Sequence, residues 1–125
     1  MVPAVRCGVD MITVGRMALA ADRSGQRFLR RIFTDAELAC AGVPSLLAVR
    51  FAAKEAFFKA LGTGLAGGVR WHDFSLPSCD DSSCEPLITG RSLELLNGRR
   101  VLASVSSTSE VAIAVVFLEG SGVNQ

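Results

Sequence analysis

Residues 45–71, SLLAVRFAAKEAFFKALGTGLAGGVRW, constrain this chain more than any other stretch. Between positions 45 and 61, twelve of seventeen residues are apolar and spread over nearly the whole helical circumference. That spacing predicts a helix buried by neighbours on most sides. Arg50, Lys54, Glu55 and Lys59 stand out in it, because a charge in a buried helix must reach the surface, find a partner or meet a ligand. Glu55 and Lys59, one turn apart, suit an ordinary intrahelical ion pair as well as a ligand site. Gly62 is placed to end the helix as a C-cap, and Gly64, Gly67 and Gly68 follow in a loop whose backbone can approach a ligand closely. A helix C-terminus is electrostatically negative, so an anion bound there needs Lys59 and a metal.

The remaining sequence supplies strands and shorter helices. Residues 4–12, AVRCGVDMI, read as a strand with Asp10 near its end. Asp10 can cap a helix beginning near Thr13 or Val14, or it can ligate a hard dication such as magnesium. A first helix is predicted over 14–21. Arg16, Arg23, Arg27, Arg30 and Arg31 stand there or soon after with Asp22 as the single acid, which makes either a solvated face or a docking surface for an acidic partner. Phe28, Ile32 and Phe33 are expected in the core. Thr34 and Glu37 form a capping box for a short helix toward Cys40. Strands follow over 74–76 and 86–88 around a polar loop, then a helix over 90–97 closed by Gly98. The chain ends in a hairpin, 101–107 and 111–118, whose last strand is nearly all apolar and is expected to be buried on both faces. The pattern is α+β, in one domain over 1–120 with a tail at 121–125.

Composition excludes several classes. A net charge of +1 in 125 residues gives no electrostatic footprint for nucleic acid. The most apolar run, 111–118, is too short to span a membrane, and no segment resembles a signal peptide. A cytoplasmic protein is expected. Cys7 and Cys40 lie in apolar segments as small hydrophobes; Cys79 and Cys84 are spaced so that they can meet across a loop, although a reducing compartment disfavours a disulfide.

The run RFAAKEAFFKALGTG, followed by Trp71, His72 and Asp73 in a W-x-D pattern and preceded by Gly8, Val9 and Asp10 in a G-[IVL]-D strand, resembles the holo-acyl-carrier-protein synthase family, the short 4'-phosphopantetheinyl transferases. The likeness covers residues 8 to about 118. It departs from the family pattern S-[IVL]-[ST]-H-[ST], where this chain has Ser104, Val105, Ser106, Ser107 and Thr108, with Ser107 in place of histidine.

The resemblance implies a small antiparallel sheet packed around one long apolar helix, assembled as a homotrimer with sites between subunits. It implies transfer of 4'-phosphopantetheine from coenzyme A to a serine of an acyl carrier protein, of fatty-acid or polyketide type. On it, Asp10 and Glu55 ligate magnesium, with manganese as the alternative, and Glu55 and Lys59 are catalytic. Arg50, Lys54, Lys59, Gly62, Gly64 and Ser107 contact coenzyme A, while Arg16, Arg23 and Arg27 dock the carrier. The serine proton can go to a metal-bound water or to Glu55; a histidine base at position 107 is impossible, and nothing transfers that role to His72. Two other readings stand beside the enzyme: a non-catalytic relative binding carrier protein or coenzyme A, suggested by Ser107, and a magnesium-binding scaffold.

Overall fold

The computed structural model describes residues 5–40, 43–77 and 83–120. In chain order the elements are β1 (Val5–Thr13), α1 (Val14–Ile32), α2 (Asp35–Cys40), α3 (Pro44–Leu61), a 3-10 turn (Trp71–Asp73), β2 (Phe74–Ser75), β3 (Ser83–Cys84), β4 (Leu87–Ile88), α4 (Gly90–Leu96), β5 (Arg100–Ser107) and β6 (Val111–Glu119). An antiparallel sheet of order β1-β6-β5-β3 carries α3 on one face, and β2 pairs with β4 separately. The fold is α+β, as the sequence pattern predicts.

Helix α3 is the centre of the core. Pro44 opens it at a position where a missing N–H costs nothing, and Gly62 closes it in the left-handed region, φ 87°. Between them Ala48, Ala52, Ala53, Ala56, Phe57, Phe58 and Ala60 are buried. The alanines let β1 come unusually close. A methyl group placed on Gly8 would lie 1.9 Å from the Ala56 carbonyl oxygen and 2.8 Å from the Ala60 nitrogen, so only glycine fits there. This contact sets Asp10, two residues along the same strand face, beside the solvent-facing edge of α3.

Four expectations are corrected. Helical structure does not stop at position 21: α1 extends to Ile32, but Gly25 (φ 62°, ψ −150°) breaks it into two shorter helical segments. Ile32 and Phe33 reach the core from its far end. Helix α4 ends on Asn97 in the left-handed region, one residue ahead of the expected Gly98. Strand β3 lies in the stretch read as a loop. Strand β6 alternates instead of being buried on both faces: Ala112, Ala114, Val116 and Leu118 face α3, while Ile113 and Phe117 are each 38% exposed.

Register explains that exposure. Phe117 lies opposite Cys7 and Leu102, Val115 opposite Val9, and Ile113 opposite Met11. All of these share the face turned away from α3, and Cys7 is a free, exposed thiol there, not a core residue. Cys79 and the tail lie outside the described residues, as does the pairing of Cys79 with Cys84. Among the described residues, no helix is long and apolar enough to cross a membrane.

Candidate active site

Asp10 is not a helix cap. Thr13 holds that post, its hydroxyl accepting from the Arg16 amide at 3.2 Å, which leaves the Asp10 carboxylate free to face α3. There it accepts from Lys59 Nζ at 2.9 Å, and the same ammonium donates to the Val9 carbonyl at 3.1 Å. Lys59 thus pairs across 49 positions to the strand and not with Glu55 one turn away. Its side chain remains half exposed, so its remaining donor capacity is open to a ligand.

Asp10 and Glu55 line one cleft of about 490 Å³ with Arg16, Met17, Phe28, Phe51 and Trp71. Burial first, then the neighbouring Asp10 charge, pushes the Glu55 carboxyl above the usual carboxylate range, and Lys59 partly opposes this. A half-buried carboxyl beside a second carboxylate in one cleft suits a cation. Among the described residues no third histidine, cysteine or acid completes a metal cluster. A hard dication of the magnesium kind fits this donor set, because it takes one or two carboxylates and fills its other positions with water and substrate phosphate.

The cleft wall includes two residues not singled out from sequence, Phe51 and Met17. Phe51 stacks on Trp71 with ring centroids 5.5 Å apart, and Met17 is fully buried. Phe51 stands four residues before Glu55, and that spacing on one helix face was the available signal.

Arg50 and Lys54, expected at coenzyme A, are both held by internal partners in this structure. Arg50 donates from Nε to the Leu76 carbonyl at 2.7 Å and from Nη1 to the Leu46 carbonyl at 3.0 Å, and is buried. Lys54 is fully buried, pairs with Glu37 at 2.8 Å, and donates to the carbonyls of Trp71, at 3.1 Å, and Phe74. Burial holds its pKa below that of an ordinary lysine, against the pull of Glu37. Glu37 keeps its capping-box bonds, Thr34 N to Oε1 at 2.9 Å and its own amide to Thr34 Oγ1 at 3.2 Å, and accepts from the Leu76 amide at 2.9 Å. With every donor of Lys54 directed inward, none is left for a ligand.

The other expected residues spread outward. Arg16, Arg23 and Arg27 are exposed on α1, with only Arg16 at the cleft. Gly62 and Gly64 follow α3 with φ of 87° and 55°. Ser107 is exposed at the end of β5, opposite Ala112, and does not line the cleft. His72 is exposed and bonded through Nε2 to the Arg30 carbonyl at 2.8 Å. Asp73 is a structural anchor, accepting from the Arg70 amide and from both the amide and hydroxyl of Ser92.

Two carboxylates with a lysine and an arginine beside them suit a ligand that carries phosphate together with a cation. Residues 6–116 match the model of the 4'-phosphopantetheinyl transferase superfamily. A holo-[acyl-carrier-protein] synthase of Koribacter versatilis is 42% identical over 119 residues, covering 90% of this chain and 95% of its own. Among solved structures, the Bacillus anthracis holo-(acyl-carrier-protein) synthase in complex with CoA (3',5'-ADP) is 30% identical, with TM-score 0.75 over 93% of this chain and 96% of its own. The Helicobacter pylori synthase in complex with coenzyme A is 26% identical, with TM-score 0.81 over 90% of this chain and 99% of its own. The chain belongs to the 4'-phosphopantetheinyl transferase superfamily, in its holo-[acyl-carrier-protein] synthase family. It is an enzyme of that class.

Proposed function

We propose that this chain transfers 4'-phosphopantetheine from coenzyme A to a serine of an apo acyl carrier protein in the cytoplasm, with magnesium or manganese at Asp10 and Glu55. The meeting of Asp10, Glu55 and Lys59 where β1 and α3 touch carries this reading, and relatives whose structures hold coenzyme A support it.

The serine oxygen attacks the phosphorus bearing pantetheine, the bond to the adenosine-bearing phosphate breaks, and adenosine 3',5'-bisphosphate leaves. Lys59, fixed by Asp10 and Val9, donates to the pyrophosphate as a point charge. The serine proton passes to Glu55 or to a water held beside it in the cleft. Magnesium, when bound, supplies charge neutralisation for the pyrophosphate. Arg16 at the cleft, with Arg23 and Arg27 along α1, meets the acidic carrier. Gly62 and Gly64 let the loop backbone approach coenzyme A.

The apolar sheet face opposite α3 supports assembly, and we assign it to a homotrimer. Met11 is 65% exposed and Val9 48% exposed, a surface unsuited to a monomer. Ser107, outside its own chain's cleft, then contacts coenzyme A bound to a neighbour.

Incubation with coenzyme A, magnesium and apo-carriers of fatty-acid and polyketide type, read by intact mass, tests the reaction. A phosphopantetheine-sized gain on the carrier is expected. Coenzyme A binding without transfer in wild type, with transfer rescued in Ser107→His, would overturn it in favour of the non-catalytic relative.

A further inference from the structure

We infer that Arg31, Arg70 and His72 form a second docking seat beside the cleft, which takes a carboxylate side chain of the acidic carrier protein. This rests on the proposed transfer to such a carrier, in which Arg16, Arg23 and Arg27 meet the partner along α1. The seat extends that contact to the far end of the loop after α3.

Three parts of the chain close around one hollow of about 490 Å³: Arg31 from the last turn of α1, Leu65 and Val69 from the loop, and Arg70 and His72 at the 3-10 turn. Val69 is buried and Leu65 is 48% exposed, so apolar surface lies between the cations. Trp71 lines both this hollow and the cleft that holds Asp10 and Glu55. A single indole therefore separates the two. A protein docked over the cleft covers roughly 800 Å², far more than one indole, and so reaches the hollow.

The seat is fixed by its backbone. His72 donates from Nε2 to the Arg30 carbonyl at 2.8 Å and ties the turn to the end of α1. The Arg70 amide donates to Asp73 Oδ2 at 3.1 Å, and the buried Asp73 is held in turn by the Ser92 hydroxyl at 2.7 Å. These bonds use main-chain groups of Arg30 and Arg70, and the side chains of Arg31 and Arg70 stay exposed.

Charge identifies the occupant. Lys59, Arg91 and Arg100 each meet a carboxylate of this chain. Among the described residues, Arg31 and Arg70 have none within ion-pair distance, although they converge on one concavity from distant parts of the sequence. An ordinary solvated face spreads its charges apart; like charges gathered in a hollow repel until an anion sits between them. A carboxylate meets a guanidinium in two parallel bonds. Arg27 stands one turn before Arg31 on the same face of α1's last segment, so the seat continues the row that meets the carrier.

The experiment is steady-state transfer from coenzyme A to an apo-carrier of fatty-acid type, with carrier and coenzyme A varied in turn at low salt, for wild type, Arg31→Glu, Arg70→Glu and Arg70→Lys. Each reversal to glutamate is expected to raise the carrier KM roughly fivefold or more while the coenzyme A KM stays within about twofold. Arg70→Lys should recover part of the loss. The gap between Arg70→Glu and wild type should close at about 1 M salt, where charges are screened beyond about 3 Å. A carrier KM unchanged in both reversals would overturn the seat, and so would a rise in both KM values together or a fall in kcat alone, which a damaged fold or a general loss of positive charge would give. A wild type that transfers to no carrier of either type would overturn the transferase reading and this inference with it.

Discussion

Replacing Gly8 with alanine tests the joint between the fold and the site. The new methyl group would lie 1.9 Å from the Ala56 carbonyl oxygen, whereas close C···O contacts in proteins lie near 3.3 Å, so β1 and α3 must part by roughly 1.4 Å. Neither side can yield by rotating a side chain, because the atoms it meets are backbone. All nine residues of β1 pair with β6, and β6 is itself packed on α3. Overpacking usually costs about 1–3 kcal/mol, and a backbone clash in this sandwich should cost at least about 3 kcal/mol. The Lys59–Asp10 contact of 2.9 Å spans the same two elements and should open with them. Urea unfolding followed by far-UV circular dichroism gives the stability, and coenzyme A transfer gives the site. A loss below about 1 kcal/mol with unchanged m and full activity would refute the reasoning.

Lys54→Met should destabilise the protein by about 3–5 kcal/mol by leaving Glu37 buried and unpaired, and Glu37→Gln in the same chain should recover part of this. Trp71 is the sole tryptophan and Lys54 tethers its carbonyl, so Lys54→Met should also shift the emission to longer wavelength; unchanged emission and stability would contradict the tether. Met11→Glu should convert the assembly into monomers by light scattering, whereas a concentration-independent monomer in wild type would remove the trimer. Phe51→Ala should weaken the cleft wall that Trp71 stacks on, lowering transfer more than tenfold, and unaltered kcat/KM would show that the wall is not used.

Much of the architecture is local and hence legible. The apolar run, Pro44 and Gly62 give α3 its limits, and Thr34 with Glu37 gives the start of α2. The segment after position 21 is helical on both sides of Gly25, which breaks the helix in between, and its charged sequence carries no apolar period strong enough to announce this. Strand β3 is two residues long and exists through pairing with Ala103 and Ser104, which no local pattern in an acidic loop announces. The outward apolar residues of β6, Ile113 and Phe117, look like core because composition alone does not tell which face of a strand is covered.

The candidate site divides in the same way. Glu55 and Lys59 are conspicuous as charges on an apolar helix, and Gly8 with Asp10 is legible as a motif. Arg50 and Lys54 carry the same signal, yet their partners lie at Glu37, Trp71, Phe74 and Leu76. Only the packed tertiary structure tells a tethered cation from one waiting for phosphate.

The most direct measurement is manganese binding, followed by electron paramagnetic resonance in the presence of coenzyme A, for wild type, Asp10→Asn and Glu55→Gln. One site per chain in wild type, lost or weakened at least tenfold in both variants while they remain folded, is the expected result. Undiminished binding in either folded variant would contradict a metal shared between β1 and α3.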